Sequence, residues 1–224
     1  MSALCSGNRC SIKQEMHVTM PAIYVHIPFC SMKCPYCSFA VVVGQRHREK
    51  DYLDALEREA ASHAGMRAMS LYVGGGTPSV LSDDGLLRLV AVMERCFHIE
   101  GGERTFELNP EDVVPARAAA LRSLGFTRVS FGAQSFLPKY LYYLGRSHDA
   151  GQARRAFAVL KAAGFDDINV DLMFGFPGQA MGELDEDLDA VLALGSTHVS
   201  IYALSVEARS LFSVRGEKVS DDAQ

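Results

Sequence analysis

The sequence predicts an α/β fold, an open and partial (β/α)6 barrel of the TIM type: a parallel sheet with outer helices. Three observations predict it. Short apolar runs rich in β-branched and aromatic residues alternate with segments of helical period. Strands that alternate with helices form a parallel sheet joined by right-handed crossovers. A closed eight-stranded barrel takes about 250 residues, and this chain has 224, with room for six βα units only.

The first strand is expected over Ile23–Pro28 and leads into a cysteine-rich loop. A helix follows over Glu49–His63, then a strand, Leu71–Gly74, that ends in glycines. The next helix, Asp83–Phe97, has the clearest signal. Leu86, Leu89, Val90, Met93 and Phe97 follow the spacing of one buried stripe, and Ser82 stands ready as the N-cap. The strand Thr105–Asn109 precedes a helix over Pro115–Leu124, where proline suits the first turn because its missing N–H is no loss there. Then come a strand at Arg128–Ala133, a helix at Gln152–Ala163, a strand at Ile168–Phe174, a helix at Glu183–Leu194 and a strand at His198–Leu204. Gly125, Gly164 and Gly195 each follow the last apolar residue of a helix, where a left-handed C-cap is expected. "LRSLGFTRVS" and "LKAAGFDDINV" echo one another as a repeated αβ joint. The barrel is thus expected over residues 23–210. Residues 1–22 read as a disordered N-terminal extension, with Met20 an alternative start, and residues 211–224 as a polar tail.

Hydrophobic residues make up 48% of the chain and charged residues 22%, the balance of an ordinary globular protein with a sizeable core. The net charge is −5 and there is no basic block, which argues against nucleic-acid and anionic-membrane partners. No apolar run approaches the roughly 18 residues of a membrane span. The N-terminus lacks a signal-peptide core, so a cytoplasmic location is expected. Of six cysteines, three crowd into one loop, which points to metal rather than disulfides. Cys5 and Cys10 have no histidine or second pair beside them. Cys96 fits helix packing, and His198 fits the start of a strand.

The crowded cysteines are Cys30, Cys34 and Cys37, in "CSMKCPYC", with spacing Cys-x3-Cys-x2-Cys. They directly follow the first strand, at the barrel face where sites form. Soft thiolates at this spacing suit iron–sulfur or zinc. A structural zinc would need a fourth ligand, for which His26 is the nearest candidate. Three thiolates on a four-iron cube leave one iron open. An open iron can chelate the amino and carboxylate groups of S-adenosylmethionine, and a reduced cluster can pass one electron to the sulfonium to release a 5′-deoxyadenosyl radical.

"YVHIPFCSMKCPYC", followed in order by "LYVGGGTPSVL", "FELNP", "RVSFGAQSF", "LGRSHDA" and "DLMFGFPGQ", resembles the radical S-adenosylmethionine superfamily. The resemblance runs from residue 23 to about 210. It is to the branch that contains oxygen-independent coproporphyrinogen III oxidase and the heme chaperone HemW. It implies a [4Fe–4S] cluster on Cys30, Cys34 and Cys37, and S-adenosylmethionine contacts at Tyr24, Tyr36, Gly75, Gly76, Thr77, Glu107, Gln134, Arg146 and Asp171. Read as residues alone, the glycine run is also a tight turn and Tyr24 also a core aromatic. Glu107 and Asp171, each in an apolar run, need a hydrogen-bond partner of some kind. Arg146 by itself reads as a surface charge.

Two functions follow from the resemblance. One is a heme chaperone that binds and transfers heme, with a heme-recipient protein and an electron donor as partners. The alternative is oxidative decarboxylation of coproporphyrinogen III, an oxidoreductase activity; catalytic residues are not assigned in either case. The oxidase has a fourth cysteine where this chain has Phe39, and a longer segment before its first strand, which favours the chaperone. The chaperone's His-Asn-x-x-Tyr-Trp motif is absent, since the chain has no tryptophan. The reading is therefore of a C-terminally truncated form that keeps the cluster and S-adenosylmethionine sites, binds heme weakly and is marginally soluble. A barrel remnant without activity is the third reading.

Overall fold

A computed structural model describes residues 20–218; Cys5, Cys10 and nearly all of the N-terminal extension lie outside them. The chain runs β1 (Ala22–Ile27), β2 (Phe29–Cys30), β3 (Val42–Val43), α1 (Glu49–Ala61), β4 (Met66–Gly75), α2 (Asp83–Cys96), β5 (Phe97–Leu108), α3 (Pro115–Ser123) and β6 (Arg128–Gln134). It continues through α4 (Pro138–Tyr143), α5 (Ala150–Ala162), β7 (Asp167–Phe174), α6 (Met181–Leu194), β8 (His198–Ala203) and the single turn α7 (Leu211–Val214). Six strands form one sheet in the order β1-β4-β5-β6-β7-β8. Every pairing in it is parallel, as in the open six-unit barrel expected. Among the described residues β1 and β8 do not pair, so the sheet is open at both edges.

Local signals place most boundaries. The Ser82 hydroxyl accepts from the Gly85 N–H as the cap of α2, and Pro115 opens α3. Gly125, Gly164 and Gly195 all have positive φ. Two strands are longer than their apolar runs suggest. β5 starts where α2 ends, through the polar stretch "HIEGGER", and β4 starts at Met66. These extra residues pair across a bulge between Ala68 and Ser70. A Cβ on Gly101 would lie 2.0 Å from the Met69 carbonyl oxygen, so only glycine passes there. The small β2–β3 pair, α4 and α7 are too short to show a period.

Alternation along the strands builds two unlike faces. Val25, Val73, Phe106, Val129, Phe131, Val170 and Leu172 point outward and pack with helix residues such as Leu89, Leu121, Phe157 and Leu160. The opposite, concave face is polar. It carries Glu107, Ser130, Gly132 and Asp171 beside the buried Thr105 and Asn169. Barrels of this class usually fill the interior with bulky branched side chains; here polar side chains stand on that face beside a cavity. Among the described residues no helix covers the outward face of β8, and Val199 and Ile201 are exposed. A second apolar cluster of Tyr140, Leu144, Met173, Phe176, Leu204 and Phe212 sits at the C-terminal ends of the strands. Its Phe212, on α7, lies within the stretch that composition marks as a polar tail.

Candidate functional site

The strand ends on the concave side enclose a cavity of about 540 Å³. Its wall includes Cys30, Cys34, Cys37, Tyr36, Gly75, Gly76, Thr77, Glu107, Gln134, Arg146 and Asp171. Tyr24 is the one predicted residue that does not line it. Tyr24 lies lower on edge strand β1, stacked on Tyr72 at 5.8 Å between ring centroids, with its hydroxyl donating to His26 Nδ1 at 3.2 Å. It is 56% exposed because nothing pairs with that edge among the described residues.

The cysteine loop is pinned from several sides. The Val42 N–H donates to the Pro28 carbonyl at 2.8 Å, and Cys37 to Cys34 at 3.0 Å in a turn. The Phe212 N–H donates to the Pro35 carbonyl at 3.0 Å, and Tyr36 packs against the second apolar cluster. Burial, more than any neighbour, pushes the Tyr36 hydroxyl far above its ordinary value, so it stays protonated. Burial also raises the Cys30 and Cys37 thiols, and the other cysteines add to this. Three thiols forced together and partly desolvated are stabilised by a cation that takes their charge. His26 is not available as a fourth ligand, since its Nε2 donates to the Ala40 carbonyl at 2.9 Å. Among the described residues no group of His, Cys, Asp and Glu converges to hold a single ion. Cube ligands sit on three different irons and need no such convergence.

Each glycine after β4 makes room for a different group. A Cβ on Gly74 would lie 2.7 Å from the Glu107 carboxyl, one on Gly75 2.5 Å from the His26 ring, and one on Gly76 2.8 Å from the Phe29 carbonyl oxygen and 3.0 Å from Cys30 Sγ. Gly75 also holds φ +115°, which a side chain rarely adopts. The run is therefore held to glycine by the chain's own neighbouring groups.

Two carboxylates rise from the sheet into the cavity. Glu107 accepts from the Tyr72 hydroxyl at 2.7 Å and from the Gly75 N–H at 3.0 Å, yet burial still raises its carboxyl. Asp171 accepts from Asn169 Nδ2 at 2.7 Å and weakly from the Ser130 hydroxyl. Burial first, and the Glu107 charge second, push Asp171 up to about 6. Both keep acceptor capacity for hydroxyl groups of an occupant.

Arg146 lies opposite, its side chain only 6% exposed. Nη2 donates to Asn109 Oδ1 at 2.7 Å and to the Gly132 carbonyl at 3.2 Å, and Nη1 to Cys34 Sγ at 3.6 Å. Its Nε is buried with no hydrogen-bond partner. A buried orphan donor on a cation is unfavourable unless a ligand answers it. Behind it, Glu111 faces the buried His148 at 3.3 Å and the Ser147 hydroxyl at 2.7 Å. Burial alone would raise the Glu111 carboxyl, but the bond to His148, the Arg146 charge and Ser147 bring it down to about 2. Gln134 sits at φ +67°, the one non-glycine residue at positive φ among those described, next to the break in β6–β7 register. Asn109, Glu111 and His148 were not among the predicted site residues. They lie inside "FELNP", its next residue and "LGRSHDA", so the motifs mark the place but give them no role.

Comparison with known proteins agrees with this geometry. The radical SAM superfamily model matches residues 24–191. The chain belongs to the radical SAM superfamily. Within it, the chain is 34% identical over 199 residues to the heme chaperone HemW of Bacillus subtilis, covering 86% of this chain and 52% of that one. It is 35% identical over 208 residues to HemW of Escherichia coli, covering 90% and 55%. The coproporphyrinogen III oxidase HemN of Escherichia coli, described as a radical SAM enzyme, superposes with a TM-score of 0.79 at 29% identity, over 92% of this chain and 48% of that one. The chain spans about half the length of the curated relatives it matches. Among the described residues no helix is long and apolar enough to cross a membrane.

Proposed function

We propose that this chain is the radical SAM part of a HemW-like heme chaperone, which holds a [4Fe–4S] cluster and S-adenosylmethionine and serves a heme or porphyrin ligand. One observation carries the reading. Three thiols, a run of glycines, two carboxylates and a largely buried arginine all line one cavity. Cys30, Cys34 and Cys37 would hold the cluster, and the fit is in the donor set: three soft thiols from one loop lining one cavity. When bound and reduced, the cluster supplies one electron to the sulfonium of S-adenosylmethionine. Every other part is the work of this chain's own groups. Gly75, Gly76 and Thr77 leave backbone open to an amino group, Arg146 answers a carboxylate with Gln134 beside it, and Glu107 and Asp171 accept from ribose hydroxyls. Tyr36 closes the loop side against water.

The chaperone reading is favoured over the oxidase by Phe39, which stands where the oxidase has a fourth cysteine and is 64% exposed at the cavity mouth. The HemW relatives support the same choice. The test is anaerobic reconstitution with iron and sulfide, reduction, and electron paramagnetic resonance with and without S-adenosylmethionine, followed by a heme titration. A [4Fe–4S]⁺ signal that changes shape with S-adenosylmethionine, and saturable heme binding, are expected. A signal indifferent to S-adenosylmethionine refutes the site, and decarboxylation of coproporphyrinogen III by the loaded protein refutes the chaperone reading.

A further inference from the structure

Asn109 caps the end of β5 without touching a cysteine, yet its amide joins the groups that touch two of them. Its Oδ1 accepts from Arg146 Nη2 at 2.7 Å, and Arg146 Nη1 donates to Cys34 Sγ at 3.6 Å. Its Nδ2 donates weakly to Thr77 Oγ1 at 3.5 Å, and Thr77 Oγ1 donates to Cys30 Sγ at 3.4 Å. Sulfur is a large acceptor, so these last distances are bonding ones. The chemistry fixes both directions. Arginine can only donate, so the carbonyl end of the amide must face it, and the NH₂ end then faces Thr77. Thr77 has one hydroxyl hydrogen. Because its oxygen already accepts from Asn109, that hydrogen is free to point at Cys30. The result is one arc of hydrogen bonds from Cys34 through Arg146, Asn109 and Thr77 to Cys30.

Resting on the cluster reading above, we propose that Asn109 is a positioning residue that aims two donors at the thiolates of Cys30 and Cys34 and so raises the reduction potential of the cluster. Donors to ligand sulfur favour the reduced state, which carries one more negative charge, and such bonds are among the controls on cluster potential. The test is a redox titration of the reconstituted full chain, followed by electron paramagnetic resonance, for wild type, Asn109→Leu, Asn109→Asp and Asn109→Ala. Asn109→Leu removes both ends of the bridge, and its reduction equilibrium constant is expected to fall about tenfold, about 59 mV for one electron. Asn109→Asp keeps the acceptor for Arg146 but turns the Thr77 hydroxyl toward itself and adds a charge that lowers the potential as well, so the neutral Asn109→Ala, with the same fall expected as for leucine, reads the proposal if the leucine variant takes up no iron. In a Thr77→Val background Asn109→Leu should have a smaller effect, because part of the bridge is already gone. Variants with wild-type potential, or full additivity with Thr77→Val, overturn the proposal while the cluster reading stands. A wild-type chain that assembles no cluster overturns both.

Discussion

Replacing Asp171 with asparagine should make the unliganded protein more stable near neutral pH and flatten its stability against pH. The carboxyl lies in the polar concave face, where burial and the Glu107 charge raise it from 3.8 to about 6. The sign follows from linkage. A carboxyl raised on folding binds its proton more tightly in the native state, so stability is highest below the unfolded value and declines as pH rises through the folded one. Raising the carboxyl that far corresponds to about 3 kcal/mol, fully expressed above about pH 7. Between pH 5.0 and 7.5 this group alone should remove about 1–2 kcal/mol from the wild type. In a chain of this size that is a fall in Tm of about 3–6 °C. Asparagine carries no charge and keeps one acceptor toward Asn169, so Asp171→Asn should lose that share of the slope. Urea unfolding of both proteins at the two pH values measures it. Parallel slopes would refute the claim that Asp171 is charged at a cost in the unliganded protein. The same variant should bind S-adenosylmethionine less well, since the unfavourable carboxylate is the one a hydroxyl-bearing ligand would satisfy.

Three further outcomes are expected. Gln134→Gly should stabilise the unliganded fold by about 1 kcal/mol by relieving φ +67°, while affinity for S-adenosylmethionine falls; thermal melts and a binding titration read the two effects separately. Gly76→Ala should block cluster assembly, because its Cβ meets the Phe29 carbonyl oxygen at 2.8 Å and Cys30 Sγ at 3.0 Å; iron and sulfide content per chain after reconstitution checks this. Val170→Thr, at a fully buried outward position, should cost about 1–3 kcal/mol, whereas Ile201→Thr on the uncovered face of β8 should change stability by less than about 0.5 kcal/mol and raise solubility; equal losses in denaturant unfolding would mean that β8 is covered.

Most of the frame was legible because its causes are local. Alternating apolar runs, Ser82 at the α2 cap, Pro115 at the start of α3 and the glycines at helix ends each act within a few residues, so the order and type of the six sheet strands and five main helices could be read along the chain. The thiol triad was legible for the same reason: its three cysteines lie within one loop. What could not be read depends on contacts between distant segments. The lower halves of β4 and β5 are polar and exist because they pair with each other. α7 is a single turn held by Phe212 in a cluster built from four other segments. Tyr24 lies in a quoted motif, but only the sheet shows that it stands on an open edge, away from the cavity wall. Asn109, Glu111 and His148 are ordinary polar residues in sequence. Hydrogen bonds across 32 to 37 positions turn them into the support of Arg146 and Thr77. By itself, then, the sequence determined the parallel α/β frame, the thiol triad and the list of side chains offered to a ligand. Only the tertiary structure decided which of them share a cavity, which carboxyl is raised and which amide joins the thiols, because burial, charge proximity and hydrogen-bond direction are properties of positions in space.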